Sequence, residues 1–213
     1  MAERGRPRAF DREKALSQAM MLFWEKGFQG ASMSELTAAM GINSPSLYAA
    51  FGSKDGLYRE AMALYEDGDG VELGRAIAEA PGARVAVETY LMRSAALFTR
   101  PGKPAGCMVV LSVVHGAGTS PQTSGALRDA RAEAQALIEA RLRRAVEAGE
   151  LPATCDPAMI ASFYVTVQQG MSIRARDRAT RPELEAIAQA AMAAWEGLIG
   201  SAGQPRIGSA GSA

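Results

Sequence analysis

The sequence predicts an all-α fold in two parts, a small N-terminal unit of short helices and a larger C-terminal unit of longer ones. Three observations support this prediction. Apolar residues recur every three to four positions, as on the buried face of a helix. Serine, threonine or aspartate precedes many of these stretches, and glycine or proline separates them. No stretch alternates apolar and polar residues with the period of two that a half-buried strand needs.

The composition is that of a globular protein with one domain or two small ones. Of its 213 residues, 48% are hydrophobic and 22% are charged, which excludes wholesale disorder. The 23 Lys and Arg residues equal the 23 Asp and Glu residues, so the total charge gives no argument for a nucleic-acid partner. The first 14 residues show a local basic surplus, with five basic side chains and three acidic ones.

Cysteine usage and hydropathy indicate the compartment. Cys107 and Cys155 are the only cysteines, too few for the disulfide framework of a small secreted domain. The basic amino terminus is not followed by an apolar signal segment, and no run of about 18 apolar residues occurs. We therefore expect a soluble, cytoplasmic protein with no membrane partner. No cofactor motif or set of metal ligands is present, so no cofactor is expected.

Capping signals define the first two helices. Asp11 can cap a helix that runs to Lys26 and stops at Gly27. The spacing of Ser32 and Glu35 is that of a capping box, which begins a short helix ending at Gly41.

Two further start signals follow closely. Ser44 before Pro45 predicts a third helix with Ser44 as its cap, closed by Gly52. Ser53 predicts a fourth helix that continues to a break at residues 68–70, Gly-Asp-Gly. Two short helices joined by a glycine-containing turn over residues 32–50 are typical of a helix-turn-helix.

Beyond about residue 70 the same signals predict longer helices. Their expected bounds are 83–99, 106–115, 121–148, 157–177 and 182–199. Residues 200–213 are rich in glycine, serine and alanine, and we expect them to form a disordered tail.

The helix-turn-helix segment resembles the DNA-binding signature of the TetR family of bacterial regulators. The resemblance rests on Met33-Ser34-Glu35-Leu36, Ala39-Met40-Gly41-Ile42 and the run from Ser46 to Tyr58, and it covers about residues 10–60. Ala50 departs from the histidine or tyrosine that many members carry before the phenylalanine. The resemblance implies a homodimeric repressor that binds palindromic double-stranded DNA and is released by a small-molecule effector.

This resemblance gives the predicted domains. Residues 1–9 form a basic arm, 10–52 the helix-turn-helix domain, 53–70 a connecting helix, and 71–199 an effector-binding and dimerisation domain. The arm contains Arg4-Gly5-Arg6-Pro7-Arg8, which resembles an AT-hook core whose Arg4 and Arg6 would enter a narrow minor groove. A solvated flexible terminus is the alternative for this arm.

Short polar groups mark the predicted DNA contacts. Asn43, Ser44 and Ser46 stand near the amino end of the helix that would enter the groove and can bond to base edges or phosphates. Pro45 can contact a thymine methyl group. Tyr48 and Lys54 can reach phosphates, and Lys54 would act together with the dipole of its helix. Further phosphate contacts are predicted for the preceding helix: Ser32 and Ser34. Each has a structural alternative, since Ser44 is a cap in any case and an isolated Tyr48 is more often core.

Dimerisation and effector binding are predicted for the C-terminal unit. The helices at 157–177 and 182–199 would form a four-helix bundle with their mates, as the resemblance also implies. Predicted interface residues are Phe163, Val167, Ile187, Ala191 and Trp195. The predicted effector pocket mixes apolar walls with polar points: Tyr90, Phe98, Met108, Leu111, His115, Phe163 and Gln168. For both sets, burial within one subunit is the alternative.

Two rival classes stay open. An enzyme would have to use Cys107 and His115, the only Cys/His pair to test, and these lie about 12 Å apart along one helix, so we expect no catalysis. An effector-independent, architectural DNA-binding module is the other alternative. Cys107 itself begins a helix, where the dipole can lower the thiol pKa and favour a sensor role; a small buried apolar residue is the competing interpretation.

Overall fold

The computed structural model describes residues 10–114 and 118–200, and every regular element in those ranges is helical. This confirms the all-α prediction. The elements are α1 (Arg12–Gly30), α2 (Met33–Met40), α3 (Ser44–Phe51), α4 (Lys54–Tyr65), a π-helical turn (Glu66–Gly70), α5 (Val71–Ala78), α6 (Ala83–Phe98), α7 (Met108–Val114), α8 (Pro121–Glu147), α9 (Pro157–Arg176), α10 (Arg181–Met192) and α11 (Trp195–Gly200).

The N-terminal caps follow the sequence with one correction. The Asp11 side chain accepts from the Lys14 N–H, and the capping box between Ser32 and Glu35 is formed in both directions. The prediction that Ser44 caps α3 is wrong. Ser44 is already the first helical residue, and the cap is Asn43, whose side chain accepts a hydrogen bond from the Ser46 N–H. Asparagine caps as well as serine, and proline fits either of the first two helical positions.

Two glycines shape the N-terminal helices. Gly27 has φ 71° and ψ 175°, which ends the regular part of α1 at the predicted stop and leaves one further short turn up to Gly30. Gly41 has φ 67° and ψ 30°, a left-handed conformation that glycine adopts without steric cost. The chain therefore turns sharply between α2 and α3.

Two predicted boundaries differ from the structure. No break occurs at residues 68–70, because the π-helical turn joins α4 to α5, a helix that was not predicted. The Val71 N–H bonds to the Glu66 carbonyl, five residues back, so the turn accommodates one extra residue without losing its backbone pairing. The helix predicted at 182–199 is interrupted after Met192, and the turn that follows brings Trp195 to 3% exposure.

The buried residues form two clusters. One fills the space between α1, α2, α3 and α4, which we call the head, and it also takes Met108 of α7 and Leu127 of α8. The other lies among α5 to α11, which we call the body. The helix α4 packs closely on α1 and contributes to the core of the head. The predicted domain boundaries at residues 52 and 70 stay a prediction.

Polar contacts fix the head on the body at three places. The indole N–H of Trp24 donates to the Gly106 carbonyl at 3.2 Å. The Arg176 guanidinium of α9 lies 3.3 Å from the carboxylate of Glu25 in α1. Asp55 of α4 accepts hydrogen bonds from the first turn of α8. The head is therefore tied to α8, to α9 and to the loop before α7.

Candidate nucleic-acid interface and ligand cavity

The helix-turn-helix presents one face of α3 to solvent. Leu36 of α2 and Leu47 of α3 are both 0% exposed and hold the two helices together through the core of the head. Tyr48, next to Leu47, is 50% exposed, which is unusual for so large a side chain. Pro45 is exposed on the same helix. The alternative that Tyr48 is a core residue is thus excluded by its position.

The amino end of α3 carries short polar groups with limited freedom. Asn43 is exposed, and its Oδ1 accepts from the Ser46 N–H at 2.9 Å. Because the amide oxygen of Asn43 is engaged in this bond, its amide N–H groups stay available as donors. Ser44 is exposed, whereas Ser46 is half-buried. All three predicted positions therefore lie together at one end of the helix.

The preceding helix begins with the predicted pair Ser32 and Ser34. Both are exposed, and their hydroxyls lie 3.1 Å apart. Ser32 Oγ also donates to the Glu35 carboxylate at 2.7 Å. A hydrogen bond from Lys26, then those from Ser32, lower the pKa of Glu35 to about 2. The capping carboxylate therefore stays ionised in any solution above about pH 4.

Lys54 is the first residue of α4 and is half-buried. Its Nζ lies 4.6 Å from the centroid of the Phe28 ring, and burial lowers its pKa. The helix starts beside the end of α3 because residue 56 is glycine: a Cβ there would lie 2.3 Å from the Phe51 carbonyl oxygen. Lys54 and the free N–H groups of the first turn of α4 thus border the exposed face of α3.

Arg12 is a basic residue of this region to which sequence reasoning gave no role. Its guanidinium lies 2.7 Å from the Glu60 carboxylate, donates to the Ala50 carbonyl at 3.3 Å, and lies 4.5 Å from the Phe51 ring centroid. It therefore fastens α1 to α3 and α4. No sequence signal indicates these partners, which lie 38 and 48 residues away. The predicted arm residues Arg4 and Arg6 lie outside the described residues.

A cavity of about 350 Å³ lies in the body against the π-helical turn. Its walls come from that turn and from α4 to α9. Three residues of the predicted pocket line it: Tyr90, Phe98 and Gln168. Other lining residues are Tyr65, Glu66, Asp67, Asp69, Leu73, Ile77, Cys107, Val110, Arg131, Glu133, Leu137 and Val165. The volume is in the range of small-molecule sites.

The remaining predicted pocket residues lie elsewhere. Met108 is 2% exposed and packs in the core of the head, and Leu111 is 1% exposed. Phe163 packs at the edge of the body core with its ring 5.0 Å from that of Tyr164. His115 lies outside the described residues. None of Met108, Leu111 and Phe163 lines the cavity.

Sequence reasoning missed the acidic wall of the cavity. All three acidic residues, Glu66, Asp67 and Asp69, lie in the π-helical turn Glu66–Gly70, of which residues 68–70 were predicted only as a helix break. Five polar or glycine residues in succession after a well-formed helix are a signal that this segment faces solvent or a ligand. The pairing of that segment with α8 depends on tertiary packing, which no local pattern reports.

Cys107 lines the cavity at the junction of the head and body. Its backbone N–H donates to Ser172 Oγ at 2.8 Å, and its thiol is hydrogen-bonded to the Tyr65 hydroxyl. Burial raises the pKa of the thiol, and the hydrogen bond from Tyr65 opposes this only in part. The expectation that the helix start lowers this pKa is therefore wrong, because removal from water outweighs the dipole.

The predicted dimer residues have unequal exposure. Trp195 is 3% exposed and belongs to the body core, so one protomer already covers it. Phe163 and Val167 of α9 and Ile187 and Ala191 of α10 are partly buried against the same core. The Tyr164 hydroxyl donates to the Ala191 carbonyl at 3.4 Å and joins the two helices.

Other site types find no support in the described ranges. No group of three or more His, Cys, Asp or Glu side chains there is arranged to hold a metal ion. No helix there is long and apolar enough to cross a membrane. A helix-turn-helix with an exposed face, joined to a helical body with a ligand-sized cavity, defines the class of one-component transcriptional regulators.

Comparison with known proteins identifies the family within that class. The model of bacterial regulatory proteins of the tetR family matches residues 15–61, and the model of the tetracyclin repressor-like C-terminal domain matches residues 86–191. The chain belongs to the tetR family of bacterial regulatory proteins and is a DNA-binding transcriptional regulator.

Relatives match along nearly the whole chain. The HTH-type transcriptional repressor ComR of Escherichia coli (strain K12) is 32% identical over 197 residues, 92% of this chain and 94% of ComR. The HTH-type transcriptional repressor BdcR of the same strain is 34% identical over 174 residues, 81% of this chain and 83% of BdcR. A cysteine mutant of the TetR family regulator CifR, complexed with 26-base-pair double-strand operator DNA, is 44% identical, with a TM-score of 0.85, covering 90% of this chain and all of that one.

Proposed function

We propose that this protein is a homodimeric repressor that binds a palindromic operator through α3 and releases it when a small molecule enters the body cavity. Relatives named as repressors and a similar regulator solved on operator DNA support this assignment. A repressor must reach the chromosome, so we place the protein in the bacterial cytoplasm.

The observation that carries the proposal is the exposed face of α3. Tyr48 is half exposed on a helix that is otherwise anchored by Leu47 and Phe51 in the core. Its hydroxyl can reach a phosphate, while Asn43, Ser44 and Pro45 at the amino end of α3 can approach base edges in the major groove. Lys54 and the first turn of α4 together offer a second anion site beside that face.

A single helix of this size touches few bases, so useful specificity requires two copies on half-sites spaced by whole turns of the duplex. We assign the contact between protomers to α9 and α10, with Phe163, Val167, Ile187 and Ala191 as its apolar residues. The buried Trp195 would support this surface from inside the protomer.

The cavity links an effector to DNA through continuous backbone. Glu66, Asp67 and Asp69 of the π-helical turn line the cavity, and this turn directly continues α4. Lys54 stands at the opposite end of α4. An occupant that presses on the turn therefore acts on the helix that carries a predicted phosphate contact. This route favours an effector-controlled regulator over an architectural module, whose core would be filled.

DNA binding is tested by in vitro selection of the preferred duplex, followed by affinity measurements on the full chain. Lys54→Gln should weaken binding to all sequences and reduce the slope of log K against log salt concentration by about 1. Tyr48→Phe should weaken binding on all sequences as well. The matched control is Lys103→Gln, which removes an exposed lysine from the loop before α7, outside the helix-turn-helix.

Base reading is tested separately from affinity. Asn43→Ala and Ser46→Ala should relax preference at individual base pairs by about 1–3 kcal/mol each. If selection returns no palindrome and binding is indifferent to Tyr48 and Lys54, the assignment fails.

Release of the selected DNA by a small molecule tests the effector role, and this release should be lost when Val165→Trp fills the cavity. Sustained turnover of a small substrate by Lys54→Ala protein would support an enzyme instead.

A further inference from the structure

The mouth of the cavity is acidic. Glu66 and Asp67 from the π-helical turn and Glu133 from α8 line it together. None of these three carboxylates forms a hydrogen bond or ion pair with any residue that the structure describes. Asp69 differs, because the Arg100 guanidinium lies 2.6 Å from its carboxylate. The wall therefore carries a group of negative charges that the protein itself leaves uncompensated.

The electrostatic consequence appears at Glu66. Burial raises the pKa of its carboxyl, and the neighbouring charges of Glu133 and Asp67 raise it further. Like charges brought together in a partly desolvated site disfavour ionisation, and an added cation would reverse this effect. The site is thus suited electrostatically to a positively charged occupant.

Arg131 is the one basic residue that lines the cavity within the described ranges. Its guanidinium is directed to the Val109 carbonyl at 3.5 Å and the Ser112 hydroxyl at 3.4 Å, both on α7. It therefore bridges α8 to α7, and it is not among the groups that lower the pKa of Glu66. The acidic character of the mouth persists in its presence.

A second, independent observation comes from the buried polar residues of the cavity lining. Gln168 is 6% exposed and Tyr90 is 2% exposed, and both line the cavity. Neither side chain forms a hydrogen bond with a residue that the structure describes. Polar groups this deeply buried normally have partners, so these two point to a ligand that supplies them. The lining also contains apolar side chains, including Ile77, Phe98 and Val165.

We propose that the cavity takes a small organic cation: an ammonium group at Glu66, Asp67 and Glu133, an apolar body along the walls, and a hydrogen-bonding group at Tyr90 and Gln168. This inference rests on the proposed effector role of the cavity. A bare metal ion does not suit it, because the carboxylates are not grouped for chelation and the rest of the cavity offers mostly apolar surface.

The test measures direct binding to the full chain without DNA, by calorimetry. Three probes share a phenol and differ in the other end: tyramine carries an ammonium, tyrosol a hydroxyl, and 3-(4-hydroxyphenyl)propionate a carboxylate. We expect tyramine to bind about tenfold or more tightly than tyrosol, with the carboxylate weakest. Equal binding of all three, preference for the carboxylate, or binding of none overturns the proposal.

Variants assign the preference to the cavity. The pair Glu66→Gln and Glu133→Gln should reduce the preference for tyramine over tyrosol to about threefold or less. Glu147→Gln, an exposed carboxylate on α8 outside the cavity, is the matched control and should leave it unchanged. Gln168→Leu should weaken tyramine and tyrosol by similar factors. An unchanged preference in the double variant overturns the assignment, and the melting temperature of each variant confirms its fold.

DNA release separates this inference from the proposed function. Tyramine that binds the cavity but leaves operator DNA bound would contradict the effector role and retain the cation site. Release of DNA by the neutral or the anionic probe alone would retain the effector role and contradict the cation site.

Discussion

Asp55 carries the polar contact between the head and α8, and its removal should destabilise the whole protein. Its carboxylate accepts from the Ser120 N–H at 3.0 Å, from the Ser120 hydroxyl at 3.0 Å and from the Thr123 hydroxyl at 2.9 Å. The side chain is 23% exposed, so water can replace these donors only in part. Asp55→Ala would leave the first turn of α8 without its anionic partner.

The magnitude follows from charge-assisted hydrogen bonds, each worth about 1.5–3 kcal/mol when the surroundings are dry. Taking the lower end because Asp55 is partly solvated, and allowing water to recover some of the loss, we expect a cost of about 3 kcal/mol. For a protein of this size, that cost corresponds to a fall in melting temperature of roughly 6 to 12 °C. Calorimetry at fixed protein concentration measures it.

The pH dependence gives the stricter test of Asp55. Burial raises the pKa of this carboxyl, but hydrogen bonds from Ser120 and Thr123 outweigh burial, and the net shift is below the ordinary value of 3.8. Its contribution to stability is therefore complete above that value and is lost as the pH falls through the folded-state pKa. The difference between wild type and Asp55→Ala should be constant from about pH 5 to 7 and shrink below about pH 4.

The matched control is Asp129→Ala, an exposed aspartate on α8. It should change the melting temperature by less than about 2 °C, since surface substitutions are usually worth under 0.5 kcal/mol. Equal effects of the two substitutions, or a difference for Asp55→Ala that is as large at pH 3 as at pH 7, would refute the reasoning.

Further predictions concern other contacts. Asn43→Ala removes the cap of α3 and should cost about 1 kcal/mol in urea unfolding, whereas Ser44→Ala should cost little. Trp24→Phe leaves the Gly106 carbonyl without its donor, and we expect a loss of about 1–3 kcal/mol in the same assay. The raised pKa of Cys107 predicts slow reaction with a thiol reagent at pH 7 that accelerates as the pH rises; fast reaction in the folded protein at pH 7 would contradict it. Ile187→Glu should convert the proposed dimer to monomer in sedimentation, while an unchanged mass would exclude α10 from the interface.

Local signals predicted the helix starts well, because a cap acts over only a few residues. The Asp11 cap and the capping box of Ser32 and Glu35 are formed as expected. The error at α3 arose within one position, since Asn43 and Ser44 are both good caps and Pro45 is compatible with either. The exposed position of Tyr48 also followed from the family signature, and no propensity rule would have given it.

The cavity shows where local reasoning stops. Tyr90, Phe98 and Gln168, which were predicted to line a pocket, line the cavity. Helical periodicity identifies the inward face of a helix. It does not say which of two cores an inward residue joins, so Met108 was assigned to the pocket although it packs into the core of the head. Residues 68–70 were predicted to break the helix because a π-helical turn has no sequence signature of its own.

The helix α3 contains no ionisable side chain other than that of Tyr48, from Ser44 to Phe51. Under the proposed function, attraction to DNA comes from groups beside it, for which we propose Lys54, whereas we assign the choice between sequences to neutral contacts. A rise in ionic strength weakens the electrostatic attraction and hardly changes the neutral contacts. A cell that changes its internal salt would then alter how much of the genome this regulator occupies, while the ranking of its operators stays the same.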